Sequence, residues 1–486
     1  APSSPWCYAI AMADDECMTL ASAQNSEAPR PGLTIEVDCI DLDREGKGLA
    51  RWNGWVIVVP DLLPGERARV QLQQRQRSRW LSRGVERLVS SNERRRPPCI
   101  LASDCGGCSL QALDDPAQVA WKTIQIQQTL QRIGGLSVEP QPALDDPKRS
   151  FGYRNRALIP LKRDQHGRLK AGYYRPKTHK VVNLNHCPVL DPRLDALIEP
   201  IKRDLDLSRW PADHDLIEAK GLRHLGLRVS HSSGDVLITL ISSHGDLPGL
   251  KELAASWLER WPSVKGVCLN LQPKANNLVL GAQTRCIAGV ERIHEQFCGV
   301  TLALSSTTFF QVNTPQAERI VKVLGDWLLQ RCEGKRVVDA YCGVGTISLP
   351  LARMGFTVHG IELIADSVDQ ARLNAMHNNL SARCTFQAGD VADLLEQNIQ
   401  ACDALVLDPP RRGLDSQVVT TILAAPPSTI AYLSCDPATQ ARDLKVLLQP
   451  AGPYELERVQ PVDFFPQTTH LESLVLLQRI NSAIQP

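Results

Sequence analysis

The stretch Val337-Val-Asp-Ala-Tyr-Cys-Gly-Val-Gly-Thr346 decides the fold of this chain. A β-branched run ends in Asp339, glycines follow at 343 and 345, and an apolar helix is expected over residues 347–354. That order predicts a strand, a tight turn and a helix in immediate succession. From about residue 311 onward the unit repeats, with strand-like runs Thr357-Val-His-Gly-Ile-Glu362, Cys384-Thr-Phe-Gln-Ala-Gly-Asp390, Ala404-Leu-Val-Leu-Asp408 and Thr429-Ile-Ala-Tyr-Leu-Ser434. Strands alternating with helices predict a doubly wound, mostly parallel sheet, whose ligands sit at the carboxyl ends of the strands.

Upstream the pattern differs. Short β-branched runs between Leu33 and Val89, punctuated by turns such as Pro64-Gly65, predict a small β-barrel. Between about 150 and 300, runs such as Leu225-Gly-Leu-Arg-Val-Ser, Asp235-Val-Leu-Ile-Thr-Leu-Ile, Gly266-Val-Cys-Leu-Asn-Leu and Asn277-Leu-Val-Leu, with a helix near 247–260, predict an α+β domain. The expected organisation is therefore a flexible extension over 1–32, a barrel over 33–90, a central α+β domain over 91–310 and a catalytic domain over 311–486. An amphipathic helix over about 117–133, ended by Gly134-Gly135, is placed to pack on the catalytic domain.

At 486 residues and a net charge of +1, bulk electrostatics selects no partner. Placement of the charge is more telling. Residues 67–96 hold ten arginines against two glutamates, and residues 151–190 hold nine Lys/Arg against one aspartate. Interleaved Trp80, Tyr153, Tyr173 and Tyr174 suit a nucleic-acid surface on which bases stack, the plainer alternative being a solvated face. The 15 scattered cysteines read as thiols in a reducing cytoplasm. No apolar run reaches the roughly 20 residues of a membrane span.

The ends of the predicted strands carry the chemistry. Glycines at 343 and 345 let a backbone approach a ligand closely. Glu362, one βα unit later, suits the two ribose hydroxyls of an adenosine, and Asp390 suits its base. Lack of a third glycine in dinucleotide spacing argues against NAD and for S-adenosylmethionine. Asp408, followed by two prolines, is rigidly presented and able to pair with a base edge. Cys435, at the same rim before Asp-Pro, reads as a nucleophile rather than an inert core thiol. Glu472, at the start of the apolar strand 474–477, is able to return to the pocket as a base.

At these residues the chain resembles the RNA uracil-5 methyltransferase family, and the resemblance runs from residue 33 to the end. Its carriers are Asp339-Ala-Tyr-Cys-Gly-Val-Gly-Thr, Asp408-Pro-Pro-Arg-Arg-Gly, Tyr432-Leu-Ser-Cys-Asp-Pro-Ala-Thr-Gln-Ala-Arg-Asp, His470-Leu-Glu-Ser and Thr308-Phe-Phe-Gln-Val-Asn-Thr. It implies a Rossmann-like methyltransferase domain, with a barrel similar to a TRAM domain. It further implies that Cys435 adds to C6 of a uridine, that C5 then takes the methyl group, and that Glu472 removes the C5 proton. Gln311, Tyr341, Thr346, Glu362, Asp390 and Asp408 match positions around the cofactor, Asp408 also binding the uracil edge and Phe309 stacking on the extruded base.

Cys99, Cys105, Cys108 and Cys187 have a spacing that suits zinc or an iron–sulfur cluster. The resemblance to the ribosomal RNA branch of the family implies a [4Fe-4S] cluster with a structural role. The expected activity is 5-methyluridine formation in 23S ribosomal RNA by a monomer. Alternatives are the same chemistry on the T-loop of transfer RNA, a cytosine-5 methyltransferase, and a non-catalytic RNA-binding or folding factor. The cytosine reading lacks a thiol beside Asp408-Pro-Pro, and the non-catalytic reading leaves Cys435 and Glu472 unexplained.

Overall fold

A computed structural model describes residues 28–450 and 452–480. Most of the expected extension over 1–32 lies outside the described residues. The chain divides into two compact units: the described residues up to Ile124 together with Phe465–Thr469, and Gln125 onward with that segment excepted.

In the first unit, β1 (Thr34–Leu42), β2 (Gly48–Trp52), β3 (Trp55–Val59), β4 (Arg67–Gln76) and β5 (Arg79–Val89) close into a barrel in the order β1-β2-β3-β5-β4. Alternate residues of β1 point inward, so Ile35, Val37 and Cys39 meet Ile57, Val70, Leu72 and Trp80 in its core. Asn53 and Gly54 both have positive φ, which gives the β2–β3 hairpin a turn whose twist matches its strands. Trp80 is thus a core residue and not a stacking surface. Gln467 anchors the 465–469 segment, its amide oxygen accepting from Arg95 at 2.8 Å and Gln118 at 2.9 Å.

The second unit contains two sheets. In the first, β6 (Arg156–Arg163), β7 (Leu169–Ala171), β8 (Leu222–Val229), β9 (Val236–Ser242), β10 (Val264–Leu271) and β11 (Gln283–Gly289) are ordered β11-β10-β9-β8-β6-β7. Every residue of β8 and β9 is buried, as the centre of a covered sheet requires. The strand expected at Asn277–Leu280 is absent. The Gln272 side chain donates to the carbonyls of Leu278 and Leu280 instead, and pairing begins only at Gln283. A hairpin, β12 (Arg292–Phe297) and β13 (Val300–Ser305), precedes the catalytic sheet.

That sheet comprises β14 (Arg336–Ala340), β15 (Thr357–Glu362), β16 (Cys384–Ala388), β17 (Ala404–Leu407), β18 (Thr429–Ser434), β19 (Tyr454–Val462) and β20 (Glu472–Arg479). Its order is β16-β15-β14-β17-β18-β20-β19, parallel through β18 and antiparallel at β20 and β19. The strand order reverses between β14 and β17, where a doubly wound sheet opens a crevice. Because β20 runs backwards, its first residue falls on the same rim as the last residues of the parallel strands. The helix after β14 is Ser348–Arg353, shorter than expected by a residue at each end. The helix expected at 117–133 runs over Asp115–Thr129 and continues as a π turn over Leu130–Gly134. Ile126 and Leu130 join the core beneath the catalytic sheet. Among the described residues, no helix is long and apolar enough to cross a membrane.

Candidate active site

The turn after β14 is tight, and its geometry follows from the glycines. Tyr341, Gly343 and Gly345 have φ of 69°, 54° and 88°. A Cβ on Gly343 would meet no protein atom within 4 Å, so its space is free for a ligand. Its amide donates to Glu362 Oε2 at 3.1 Å, and the Ile364 amide donates to Oε1 at 2.9 Å. Two backbone donors therefore aim the carboxylate at the end of β15. At the next strand end, Asp390 caps the helix Val391–Ile399 by accepting from the Ala392 amide at 3.0 Å. Asp339 lies fully buried behind the turn and accepts from Ser348 Oγ at 2.5 Å. Burial pushes its carboxyl up to about 7.

These ends enclose a cavity of about 410 Å³, lined by all seven residues expected around cofactor and base: Phe309, Gln311, Tyr341, Thr346, Glu362, Asp390 and Asp408. Ile347, Ile364, Val391 and Leu433 supply apolar walls. A volume of this size, an aimed carboxylate and an open glycine face fit an adenosine-containing cofactor such as S-adenosylmethionine.

Beyond Asp408 lies a second group of residues. Strand register sets it: Ser434 pairs with Ser473, so Cys435 and Glu472 leave neighbouring strands side by side. Cys435 is half-buried between β18 and the helix Pro437–Leu447, which Asp436 caps through the amides of Ala438 and Thr439. Burial, with Glu472 and Asp408 adding negative charge, pushes its thiol up to about 11, while Arg411 pulls the other way. Glu472 is only 7% exposed. Burial and then Asp408 hold its carboxyl well above the ordinary range, and Arg411 opposes them. Asp408 is itself pushed up to about 7, by burial first and Asp339 second. Neither Cys435 nor Glu472 lines the cavity, but both stand within electrostatic reach of Asp408 on its wall.

Several positioning groups carry no motif signal of their own. Gln440 donates to the Tyr432 carbonyl at 3.0 Å and accepts from Ser473 Oγ at 2.6 Å, tying the helix after Cys435 to both strands. Asp443 Oδ2 accepts from Tyr432 Oη at 2.8 Å and from the Leu414 amide at 2.9 Å, fixing the Pro-Pro-Arg-Arg-Gly loop. The Phe309 loop is cradled from the other sheet. Arg156 donates to the carbonyls of Ser306 and Thr308 at 2.9 and 3.3 Å, its register partner Arg228 also donates to Thr308, and Asn155 donates to the Gln311 carbonyl at 3.0 Å. Phe309 itself is 67% exposed at the cavity mouth.

This cradle corrects part of the charge reading. Within the basic run at 151–190, Arg156 serves the loop and Arg163 serves the carbonyls of Trp210, Gly167 and Leu205, while Tyr153 is buried. In the barrel, Arg67 pairs with Asp38 and Arg69 with Glu36 and Glu86, so these arginines are partly neutralised in place. Their partners sit on neighbouring strands, out of sight of a count along the chain.

Cys99, Cys105 and Cys108 lie half-buried in the irregular segment after the barrel, in the first unit, and Cys187 lies in the second. The Gly107 amide donates to Cys105 Sγ at 3.4 Å, a contact of the kind that stabilises a ligating sulfur.

A family model described as tRNA (Uracil-5-)-methyltransferase matches residues 148–480. An uncharacterized RNA methyltransferase of Parasynechococcus marenigrum is 62% identical, covering 96% of this chain and 99% of the relative. Another from Synechocystis sp. is 43% identical over 93% and 96% of the two chains. Among solved structures, the Pyrococcus abyssi tRNA (uracil-54, C5)-methyltransferase in complex with S-adenosyl-L-homocysteine is similar with a TM-score of 0.72 and 25% identity, covering 92% of this chain and 100% of that one.

Proposed function

The chain belongs to the RNA uracil-5 methyltransferase family and is an S-adenosylmethionine-dependent enzyme, and from that premise we propose that it forms 5-methyluridine in 23S ribosomal RNA through a covalent Cys435 adduct. The observation that carries the mechanism is the β18–β20 register, which sets a thiol and a buried carboxyl side by side next to Asp408.

In this reading Gln311, Tyr341, Thr346, Glu362, Asp390 and Asp408 hold the cofactor, with Glu362 taking the ribose hydroxyls. S-adenosylmethionine, when bound, supplies an electrophilic methyl group. Phe309 stacks on the extruded uracil and Asp408 binds its edge, its raised pKa suiting a carboxyl that donates as well as accepts. Cys435 gives its proton to solvent as its sulfur bonds to C6, with Arg411 favouring the thiolate, and the C5–C6 electron pair moves to C5 and O4 as an enolate. C5 would then take the methyl group, the sulfonium S–CH3 bond breaking to leave S-adenosylhomocysteine. Glu472, in its carboxylate form, accepts the C5 proton and the S–C6 bond breaks by elimination, expelling Cys435 as a thiolate and releasing 5-methyluridine.

Cys99, Cys105, Cys108 and Cys187 are assigned as thiolate ligands of a structural [4Fe-4S] cluster, zinc being the alternative metal. Their spacing and half-buried setting support the assignment. The enzyme acts as a cytoplasmic monomer, with every reacting group on one chain.

Transfer RNA is the second substrate reading, favoured because the solved relative bears a transfer RNA uracil in its name. Mass-spectrometric mapping of methyl groups decides between them, using anaerobically purified protein and S-adenosylmethionine with unmodified 23S ribosomal RNA and, separately, unmodified transfer RNA. Methyl at C5 of ribosomal uridines is the expected result. Methyl on transfer RNA alone overturns the substrate, and methyl on neither overturns the uridine chemistry.

A further inference from the structure

Away from the cavity, two loops of the central sheet bring together His179, His214 and Asp215, whose ligand atoms all lie within 4.8 Å of one another. None of the three lines the cavity described above. The first loop is the turn bridged by Tyr174 and Val181, and the second follows Asp213. Asp213 is nearly fully buried and accepts from the amides of Asp215, Glu218 and Ala219, so the second loop is held in shape by its own anchor. Tyr174 stacks on the His179 ring at 5.4 Å and leans on the His214 ring at 5.2 Å.

His179 Nδ1 lies 3.1 Å from Asp215 Oδ2, and His214 Nε2 lies 3.2 Å from the same oxygen. Bonds of about 2.0–2.1 Å to a tetrahedral zinc ion place neighbouring ligand atoms about 3.3 Å apart, so two of the three separations already match a coordination edge. The third closes by rotation of His179, whose side chain is 65% exposed.

A hydrogen-bonded His–Asp–His chain is the plainer account, and it is only loosely made at His214. That side chain is 1% exposed, and its contacts to Asp215 Oδ2 and to the His179 backbone fall short of well-aligned hydrogen bonds. Buried polar atoms in folded proteins are as a rule well hydrogen-bonded, so a loosely held buried imidazole leaves room for another partner. Burial also holds His214 below the ordinary histidine range. The nearby cations are engaged elsewhere. Arg223 donates to the carbonyls of His214, Gln272 and Lys274, and Lys162 pairs with Glu218 at 3.1 Å.

We propose that His179, His214 and Asp215 form a binding site for a divalent cation of the zinc type, with a fourth coordination position open to an exchangeable oxygen ligand. Two imidazoles and one carboxylate select such an ion over magnesium or calcium, which prefer oxygen donors throughout. The site is independent of the methyltransferase reading and of the four cysteines.

Equilibrium dialysis of the full chain against Zn²⁺, with Co²⁺ as the optical probe, tests this site. Wild-type protein is compared with His179→Ala and Asp215→Asn. His179 is exposed, so its replacement leaves the fold intact even if the loop at 213–219 does not tolerate the second change. The expected result is one bound ion whose visible bands lack a sulfur-to-cobalt charge-transfer component, and whose affinity falls at least about tenfold in His179→Ala. Identical stoichiometry and spectra in wild type and His179→Ala, or bands of thiolate type alone, would overturn the proposal.

Discussion

At one end of the cavity, Glu362 accepts from the amides of Gly343 and Ile364 and Asp390 accepts from the amide of Ala392, so backbone dipoles receive each carboxylate. At the other end, Asp408, Glu472 and Cys435 crowd together with Arg411 as the cation acting on the last two, and all three are pushed toward their protonated forms. The contrast separates binding from chemistry. In the proposed reading the carboxylates that hold the cofactor need a fixed direction, which backbone donors supply. In the proposed reaction, burial with like charge holds Cys435 and Glu472 toward their protonated forms, against which Arg411 acts.

The largest break in this contrast is expected from Cys435→Ala. Methyl transfer to RNA, measured with labelled S-adenosylmethionine, should fall by at least about 10⁴-fold, while calorimetric affinity for S-adenosylhomocysteine stays unchanged. Retained turnover would mean that the reaction end lies elsewhere.

Glu472→Gln should slow turnover by about 10²–10⁴-fold and leave an RNA–protein adduct visible on denaturing gels, because elimination then lacks its base. Loss of turnover without an adduct would move Glu472 to an earlier step.

Glu362→Ala probes the opposite end. Removing a charged acceptor for two hydroxyls costs about 1.5–3 kcal/mol, so affinity for S-adenosylhomocysteine should drop about 10- to 100-fold, with little change in the rate at saturating cofactor.

The smallest effect concerns pH. Burial raises Asp408 from 3.8 to about 7, so within that window the folded chain keeps a proton that the unfolded chain releases. Stability therefore falls as pH rises through the window, and Asp339, raised in the same way, adds to the slope. Melting temperatures of Asp408→Asn across this range should decline less steeply than those of the wild type.

Much of the site was readable from the chain because it is built from strand ends. Each of Asp339, Glu362, Asp390, Asp408 and Cys435 closes a run of alternating strand and helix, and one sheet topology carries all of them to one rim. The cradle under Phe309 was not readable. Arg156 and Arg228 belong to unremarkable strands, and only their register pairing shows that they converge on one carbonyl. The count of basic residues did not show that Arg156 and Arg163 are spent on internal carbonyls and Trp80 and Tyr153 on cores, since their partners lie far along the chain. The strand at 277–280 failed because a single side chain, Gln272, took the carbonyls that a ladder would have used.

The sequence by itself determined the doubly wound sheet, the small barrel and the residues at the cavity, because periodicity and glycine turns are local properties of a chain. The tertiary structure alone decided three matters: that Cys435 and Glu472 stand side by side through an antiparallel strand, that burial raises the Asp408 carboxyl to about 7, and that His179 meets His214 and Asp215. Each depends on strand register, on exclusion of water or on the meeting of two loops distant in sequence, and none of these is encoded in the spacing of residues along one segment.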